Sequence, residues 1–319
     1  MVKIRPAERT DIPRLHELWR DVFEDSDAFL DAYFEKWFDP AAMLVAEDNG
    51  RIVSMSTVYR HAALVLGGAG SSDAGDCPCV FAVATDEDAR GQGLAMALIR
   101  RQIEAEERRG TPCMIIAPAE ESLFALYQER FGFEPWFYVN RIFCRPSDGC
   151  GVPADGCGHS AGHKALQALT PADYNARRET FLRGCSHLKF TDRQTELEAL
   201  ICAQSGGGLF EIDRRGFLDI LCAIERISDS QIRVNELLVP EEDLCNALQQ
   251  IQAAFPAAEY EIRIPSYVNR YEAALSMRFC SGTYVWESGV PAAMLLDLTG
   301  AGVLPAALSG GAYAGFIYD

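Results

Sequence analysis

A glycine-rich turn separates an apolar run from a helix-like segment in FAVATDEDARGQGLAMALIRR, Phe81 to Arg101. Arg90, Gly91 and Gly93 fall at the junction. A helix N-terminus presents backbone N–H groups that have no partner inside the helix, together with the positive end of the helix dipole. Anions bind readily there. Glycine lets the backbone approach an anion with no Cβ in the way, and an arginine adds charge and directed donors. The segment RGQGLA therefore reads as a cradle for a diphosphate. Two familiar phosphate loops are excluded. A Walker loop needs Gly-Lys-Ser/Thr, which is missing. A dinucleotide loop needs a third glycine, and the run after Gly93 is Leu94, Ala95, Met96.

The elements that must position this loop are legible from periodicity. KIRPA reads as a strand. TDIPRLHELWRDVFE has apolar residues at helical spacing (Ile12, Leu15, Leu18, Trp19, Val22), and DSDAFLDAYFEKWF reads as a second helix. In that helix Phe29, Tyr33 and Trp37 share one face and are expected to pack inward. MLVAEDNGRIVSMSTVYR is a hairpin around Asn49-Gly50. HAALVLGGAGSSDAGD reads as a strand running into a loop. CVFAVAT is a strand, ARGQGLAMALIRRQIEAEERR a helix, PCMIIAP a buried strand, AEESLFALYQERF a helix and EPWFYVNRIFCR a closing strand. The order is β-α-α-β-β-β-α-β-α-β, an α/β domain over residues 1–145.

Residues 146–163, rich in Gly, Pro, Ser and Asp, read as a flexible linker. Cys150, Cys157, His159 and His163 fall in it, but their spacing fits no zinc module, and no metal is expected. Residues 164–319 repeat the order of the first part. LFEIDRRGFLDILCAIER aligns without a gap with MLVAEDNGRIVSMSTVYR at an offset of 166 residues, which superposes Gly216 on Gly50 and Arg226 on Arg60. The second copy has VPEEDLCNALQ where the first has TDEDARGQGLA, so its loop has lost both glycines and the arginine.

Composition narrows the class further. The net charge of −17, from 46 acidic and 29 basic residues, argues against a nucleic-acid partner and is compatible with a cationic one. No apolar run approaches the ~20 residues of a membrane span. The N-terminus lacks the apolar core of a signal peptide, so a cytoplasmic location is expected. The eleven cysteines then read as reduced thiols.

The pattern Arg90-x-x-Gly93-x-Ala95 after VAT resembles motif A of the GNAT superfamily of acetyl-CoA-dependent N-acetyltransferases, and LFALYQERFGFEP resembles the family's later helix. The resemblance spans about residues 3–145. An active copy followed by a degenerate one is similar to the tandem acetyltransferases of the enhanced intracellular survival type, without a full third domain. The fold implied is a tandem GNAT fold, with a mixed central sheet flanked by helices in each half.

The resemblance also implies a mechanism. Arg90, Gly91, Gln92, Gly93, Leu94, Ala95 and Met96 would hold the diphosphate of acetyl-CoA, while Val83, Ala84 and Thr85 would offer backbone groups to the pantetheine arm and the thioester carbonyl. A primary amine of a small molecule would attack directly. Tyr127 is the family-type acid for the leaving thiolate, although it stands five residues before Gly132 where the family has four. Either the helix end contains a bulge, or Tyr127 packs in the core and another group protonates the thiolate. The base stays open among Glu120, Glu121, His61 and the C-terminal carboxylate of Asp319. A non-catalytic CoA-binding sensor or scaffold, or a protein or peptide N-acetyltransferase, are the alternatives. A homo-oligomer is compatible with these readings.

Overall fold

The computed structural model describes residues 2–67, 72–146, 166–212, 220–266, 282–300 and 312–315. The first half contains β1 (Lys3–Pro6), α1 (Ile12–Phe23), α2 (Asp27–Lys36), β2 (Met43–Asp48), β3 (Arg51–Tyr59), β4 (Ala62–Leu66), β5 (Ser72–Asp76), β6 (Cys79–Thr85), α3 (Leu94–Arg109), β7 (Cys113–Ile116), α4 (Glu121–Phe131) and β8 (Glu134–Pro146). The second contains β9 (Gln167–Ala168), α5 (Pro171–Phe181), β10 (His187–Phe190), α6 (Asp192–Gln204), β11 (Gly208–Ile212), β12 (Ile220–Ser228), β13 (Gln231–Leu238), α7 (Leu244–Ala254), β14 (Glu259–Pro265) and β15 (Gly282–Asp297).

Local chemistry sets these boundaries. Ser26, Thr170 and Thr191 cap α2, α5 and α6 by accepting backbone N–H bonds from Phe29, Asp173 and Gln194. Asn49 and Gly50 both take positive φ, as a tight hairpin turn requires. Leu15, Leu18 and Trp19 of α1 meet Phe29, Leu30, Tyr33 and Phe34 of α2 in one buried cluster. The inward packing expected of Phe29, Tyr33 and Trp37 is what the structure shows.

Among the described residues a twelve-stranded sheet runs β1-β2-β3-β6-β7-β15-β8-β14-β13-β12-β11-β9. The halves share its centre. β15, from the second half, lies between β7 and β8 of the first, antiparallel to both. β8 in turn carries β14 along Val139 to Cys144. By its sequence β8 reads as a closing strand; in the structure it is interior, bordered on both sides by strands from the other half. The segment 61–76 also differs from its expected strand and loop. It forms the hairpin β4–β5, and β10 adds to β4 to make a separate three-stranded sheet.

The internal repeat is visible in the pairing register. Met43↔Thr57 through Ala46↔Ser54 in β2–β3 correspond to Leu209↔Ala223 through Ile212↔Ile220 in β11–β12, each residue shifted by the same 166 positions. Each copy also carries a bulge on the next strand. In the first, Met55 pairs with Ala84 and Thr57 with Phe81, so Ser56 faces both Ala82 and Val83. In the second, Ala223 pairs with Glu236 and Ile224 with Val234, which leaves Asn235 as the extra residue. Gly216, the turn glycine of the second hairpin, lies outside the described residues, as do Cys150, Cys157, His159, His163 and Asp319.

Candidate active site

The glycine-loop residues take the conformations that their types anticipate. A short 3₁₀ turn, Glu87–Ala89, precedes the loop, and the regular helix begins only at Leu94. Gly91 and Gly93 have φ of +77° and +75°, and Gly93 is the N-cap of α3. Gly93 has no side chain to cap the helix. The amides of Leu94, Ala95 and Met96 belong to the first turn, where no helical acceptor exists. No acidic side chain occupies that turn to compete with an anion. A Cβ built at Gly91 or Gly93 would find no protein atom within 4 Å, so the space above this backbone is open. Gly91, Gln92 and Gly93 are exposed, as an anion site at a helix entrance must be. These features fit a diphosphate held by backbone amides.

The strand before the loop is bent. Ala82, in the bulge of β6, has φ of +50°, a conformation uncommon for a residue with a side chain. Ser56, opposite the bulge, is pinned from behind: its hydroxyl donates to Gln102 Oε1 at 2.9 Å and its carbonyl accepts from Gln102 Nε2 at 2.9 Å. Beyond the bulge, Ser54 donates to the Ala84 carbonyl at 2.8 Å. Thr85 accepts from Arg90 Nε at its carbonyl. β6 and β7 are paired at Cys79↔Ile115 and Val80↔Ile116 and then part.

A cavity of about 640 Å³ opens where the strands part. Its first-half wall includes Val80 to Val83, Ile116, Leu123, Tyr127 and the α1–α2 connection. Its opposite wall comes from the second half: Glu198 and Ile201 of α6, Glu225 of β12, Arg233 and Asn235 of β13, and Arg263 of β14. Of the expected strand residues, Val83 lines the cavity and Ala84 is buried. Four carboxylates face this space, Glu24, Asp25, Glu198 and Glu225. The two arginines both bind Glu261, at 3.1 Å. The large exposed apolar side chains of the lining are Phe23 and Ile227, one from each half.

Tyr127 is the buried residue of α4: it packs in the core with Val80, Ile99, Ile116 and Phe133 and also lines the cavity, whereas Gln128 turns outward and donates to Glu134. The helix runs regularly to Phe131, and Gly132 closes it in the left-handed conformation. The spacing of five therefore puts Tyr127, not Gln128, on the inner face. Burial pushes its phenol up, so it is a protonated donor at neutral pH. Glu120 and Glu121 are exposed at the start of α4, outside the cavity lining. His61 lies outside the lining too, and burial and Arg193 hold its imidazole below its ordinary value.

Sequence reasoning did not single out Glu198. Its carboxyl is pushed up from 4.5 to about 7, first by burial and then by the neighbouring charges of Glu225 and Glu236, against the hydrogen bond from Asn235. The folded chain thus holds this proton more tightly than the unfolded chain does. Its contribution to stability is present in full below pH 4.5 and is lost as pH rises through about 7. Glu198→Gln is expected to raise the melting temperature by several degrees at pH 8 and not at pH 4. Thermal melts of both proteins across that range check this. Equal differences at both pH values would contradict it.

Residues 3–136 match the family model for the acetyltransferase (GNAT) domain. The bulged strand, the parting strands and the glycine-capped helix all lie within that match, so the first part of the chain is a GNAT acetyltransferase domain. A mycothiol acetyltransferase of Thermobifida fusca is 34% identical over 105 residues, 32% of this chain and 31% of that protein. A second mycothiol acetyltransferase, from Acidimicrobium ferrooxidans, is 31% identical over 111 residues, 34% and 33% of the two chains. The chain thus matches about a third of the length of these curated relatives. Among solved structures, Eis1 from Mycobacterium abscessus is similar with a TM-score of 0.63 at 14% identity, covering 95% of this chain and 76% of that one. A GCN5-related N-acetyltransferase from Anabaena variabilis has a TM-score of 0.64 at 13% identity, covering 93% and 73%. The likeness extends over both halves and shows a shared fold. Among the described residues no helix is long and apolar enough to cross a membrane, and no group of three or more His, Cys, Asp or Glu is placed to hold a metal ion.

Proposed function

We propose that this protein is an acetyl-CoA-dependent N-acetyltransferase that acetylates a primary amine of a small molecule by direct attack. The observation that carries this reading is the acetyltransferase domain match over a segment that holds the glycine loop, the bulge and the first-half wall of the cavity. In this reading Arg90 to Met96 hold the diphosphate. Val83 to Thr85 line the path of the pantetheine arm, and an amide at the bulge polarises the thioester carbonyl. The first half, residues 1–145, carries the cofactor, and the second half supplies the acceptor wall. The four cavity carboxylates favour an amine that arrives as a cation. The mycothiol acetyltransferase relatives support a small-molecule acceptor.

The test is a thiol-release assay with purified protein, acetyl-CoA and a panel of polyamines, aminoglycosides, amino acids and a short peptide. Acetylation of one of the small amines is expected. Acetylation of the peptide alone would move the acceptor class, and acetyl-CoA binding with no thiol release would leave a binding protein. Tyr127 is proposed as the acid for the thiolate. Tyr127→Phe is expected to lower kcat about tenfold or more with acetyl-CoA affinity unchanged. An unaltered kcat removes Tyr127 from the chemistry.

A further inference from the structure

Under the acetyl-transfer reading, an acceptor amine reaches the cavity largely as an ammonium, since ordinary alkyl amines titrate near ~10. It must lose one proton before its lone pair can attack. Among the carboxylates that line the cavity, Glu24 is exposed, Asp25 accepts from Trp19 Nε1 at 2.8 Å, and Glu225 is half-buried and accepts from Asn235 Nδ2 at 3.3 Å. Glu198 differs from these in its burial. It is 1% exposed, and its Oε1 accepts from Asn235 Nδ2 at 3.0 Å and from Cys202 Sγ at 3.4 Å. Its other oxygen, Oε2, accepts no hydrogen bond from any described residue, although the side chain lines the cavity.

Position supports the same residue. Leu197, its neighbour in α6, packs in the cluster that contains Ala82 and Ala84, with Phe81 against it. Ile201, almost one turn further on, packs there too and lines the cavity. The helix is held in place by Trp37 Nε1 donating to the Arg193 carbonyl at 3.2 Å, and by Ser26 donating to Gln204 at 3.0 Å. Glu198 therefore lines the same cavity as Ala82 and Val83 of the bulge, at which the thioester carbonyl would be polarised. Asn235, which fixes it, is the extra residue of the second copy's own bulge.

We propose that Glu198, contributed by the second half, is the proton acceptor for the attacking amine. The ammonium gives one proton to Oε2 of Glu198. The freed nitrogen lone pair forms a bond to the thioester carbonyl carbon, and the carbon–sulfur bond then breaks. The second proton lost by the nitrogen goes to the thiolate by way of Tyr127, and Glu198 returns its proton to solvent. One proton is released per turnover. The charged and hydrogen-bonding groups that face Glu198 are Cys202 on its own helix, Glu225 on β12, and Asn235 and Glu236 on β13. Arg233 and Arg263 line the same cavity but bind Glu261. The carboxyl, pushed up to about 7, has the affinity that a base needs near neutral pH.

This assignment rests on the acetyl-transfer reading, and the experiment separates the two. With the best amine of the panel, kcat/KM of the wild type is expected to show an acid limb near pH 7. Glu198→Gln is expected to lower kcat about a hundredfold or more and to abolish that limb, with acetyl-CoA affinity retained. Two further variants report even if Glu198→Gln folds poorly. Asn235→Ala removes a hydrogen bond to the carboxylate and should move the limb to higher pH. Glu225→Gln removes a like charge and should move it to lower pH. A Glu198→Gln rate within about threefold of wild type, or limbs that do not move in opposite directions, overturns the base assignment alone. A wild type that binds acetyl-CoA and acetylates no amine overturns both readings.

Discussion

Gly93→Val is expected to weaken acetyl-CoA binding by two to three orders of magnitude while the protein stays folded. A Cβ at this position meets no protein atom within 4 Å, so nothing in the fold resists it sterically. The φ of +75° does resist it, at about 1–2 kcal/mol for a residue with a side chain, and more for a β-branched one. The larger effect falls on the ligand. A valine side chain stands in the open space above the amides of Leu94 to Met96, where a diphosphate must approach within hydrogen-bond distance. Two lost charge-assisted bonds at about 1.5–2 kcal/mol each account for the loss. Calorimetry with acetyl-CoA on the wild type and the variant gives the ratio, and thermal melts report the fold. Undiminished affinity in a folded variant would place the cofactor elsewhere.

The largest effect on stability is expected at Arg178. It is fully buried on α5, with Nε 3.0 and 3.2 Å from the two oxygens of Glu236 and Nη1 donating to the Leu188 carbonyl at 2.8 Å. Phe190 lies against its guanidinium at 4.4 Å, and Tyr174 donates to Glu236 at 2.9 Å. Residues 312–315 close over this group, so tightly that a Cβ at Gly315 would meet Arg178 and Glu236. Arg178→Met leaves the carboxylate of Glu236 buried without its counter-charge, at a cost of about 3–5 kcal/mol. Glu236→Leu does the converse. The double variant is expected to be more stable than either single one, because two buried charges leave together. Denaturation midpoints of the four proteins test this. Singles within ~1 kcal/mol of wild type, or a double variant worse than both, would show that the pair does not carry the packing here.

The conformation of the glycine loop is readable from local chemistry. Gly91 and Gly93 announce positive φ, and the missing Gly-Lys-Ser/Thr and third glycine exclude other loops on residue identity alone. The hairpin offset of 166 residues, read from Gly50 and Gly216, carries through to the pairing register. What stays hidden depends on contacts between distant segments. Nothing in GTYVWESGVPAAMLLD says that it will enter the sheet between Cys113–Ile116 and Glu134–Pro146, because strand partners leave no local mark. Glu198 is invisible for the same reason. On its own, a glutamate in DRQTELEALICAQ reads as a solvent-facing helix residue; β12 and β13 are what bury it. The spacing of Tyr127 to Gly132 looks like a displacement by sequence, and becomes intelligible because α4 is regular to its glycine cap.

The insertion of β15 between β7 and β8 has a consequence for synthesis. A ribosome completes the amino-terminal acetyltransferase unit, through Pro146, with the border strands of a gap still unpaired. The residues that seal the gap, from Val290 onward, emerge only after most of the second half has been translated. The nascent first unit must therefore wait, with open strand edges exposed to aggregation or to a chaperone. A gene that shed its second copy would encode a unit unable to finish its own sheet.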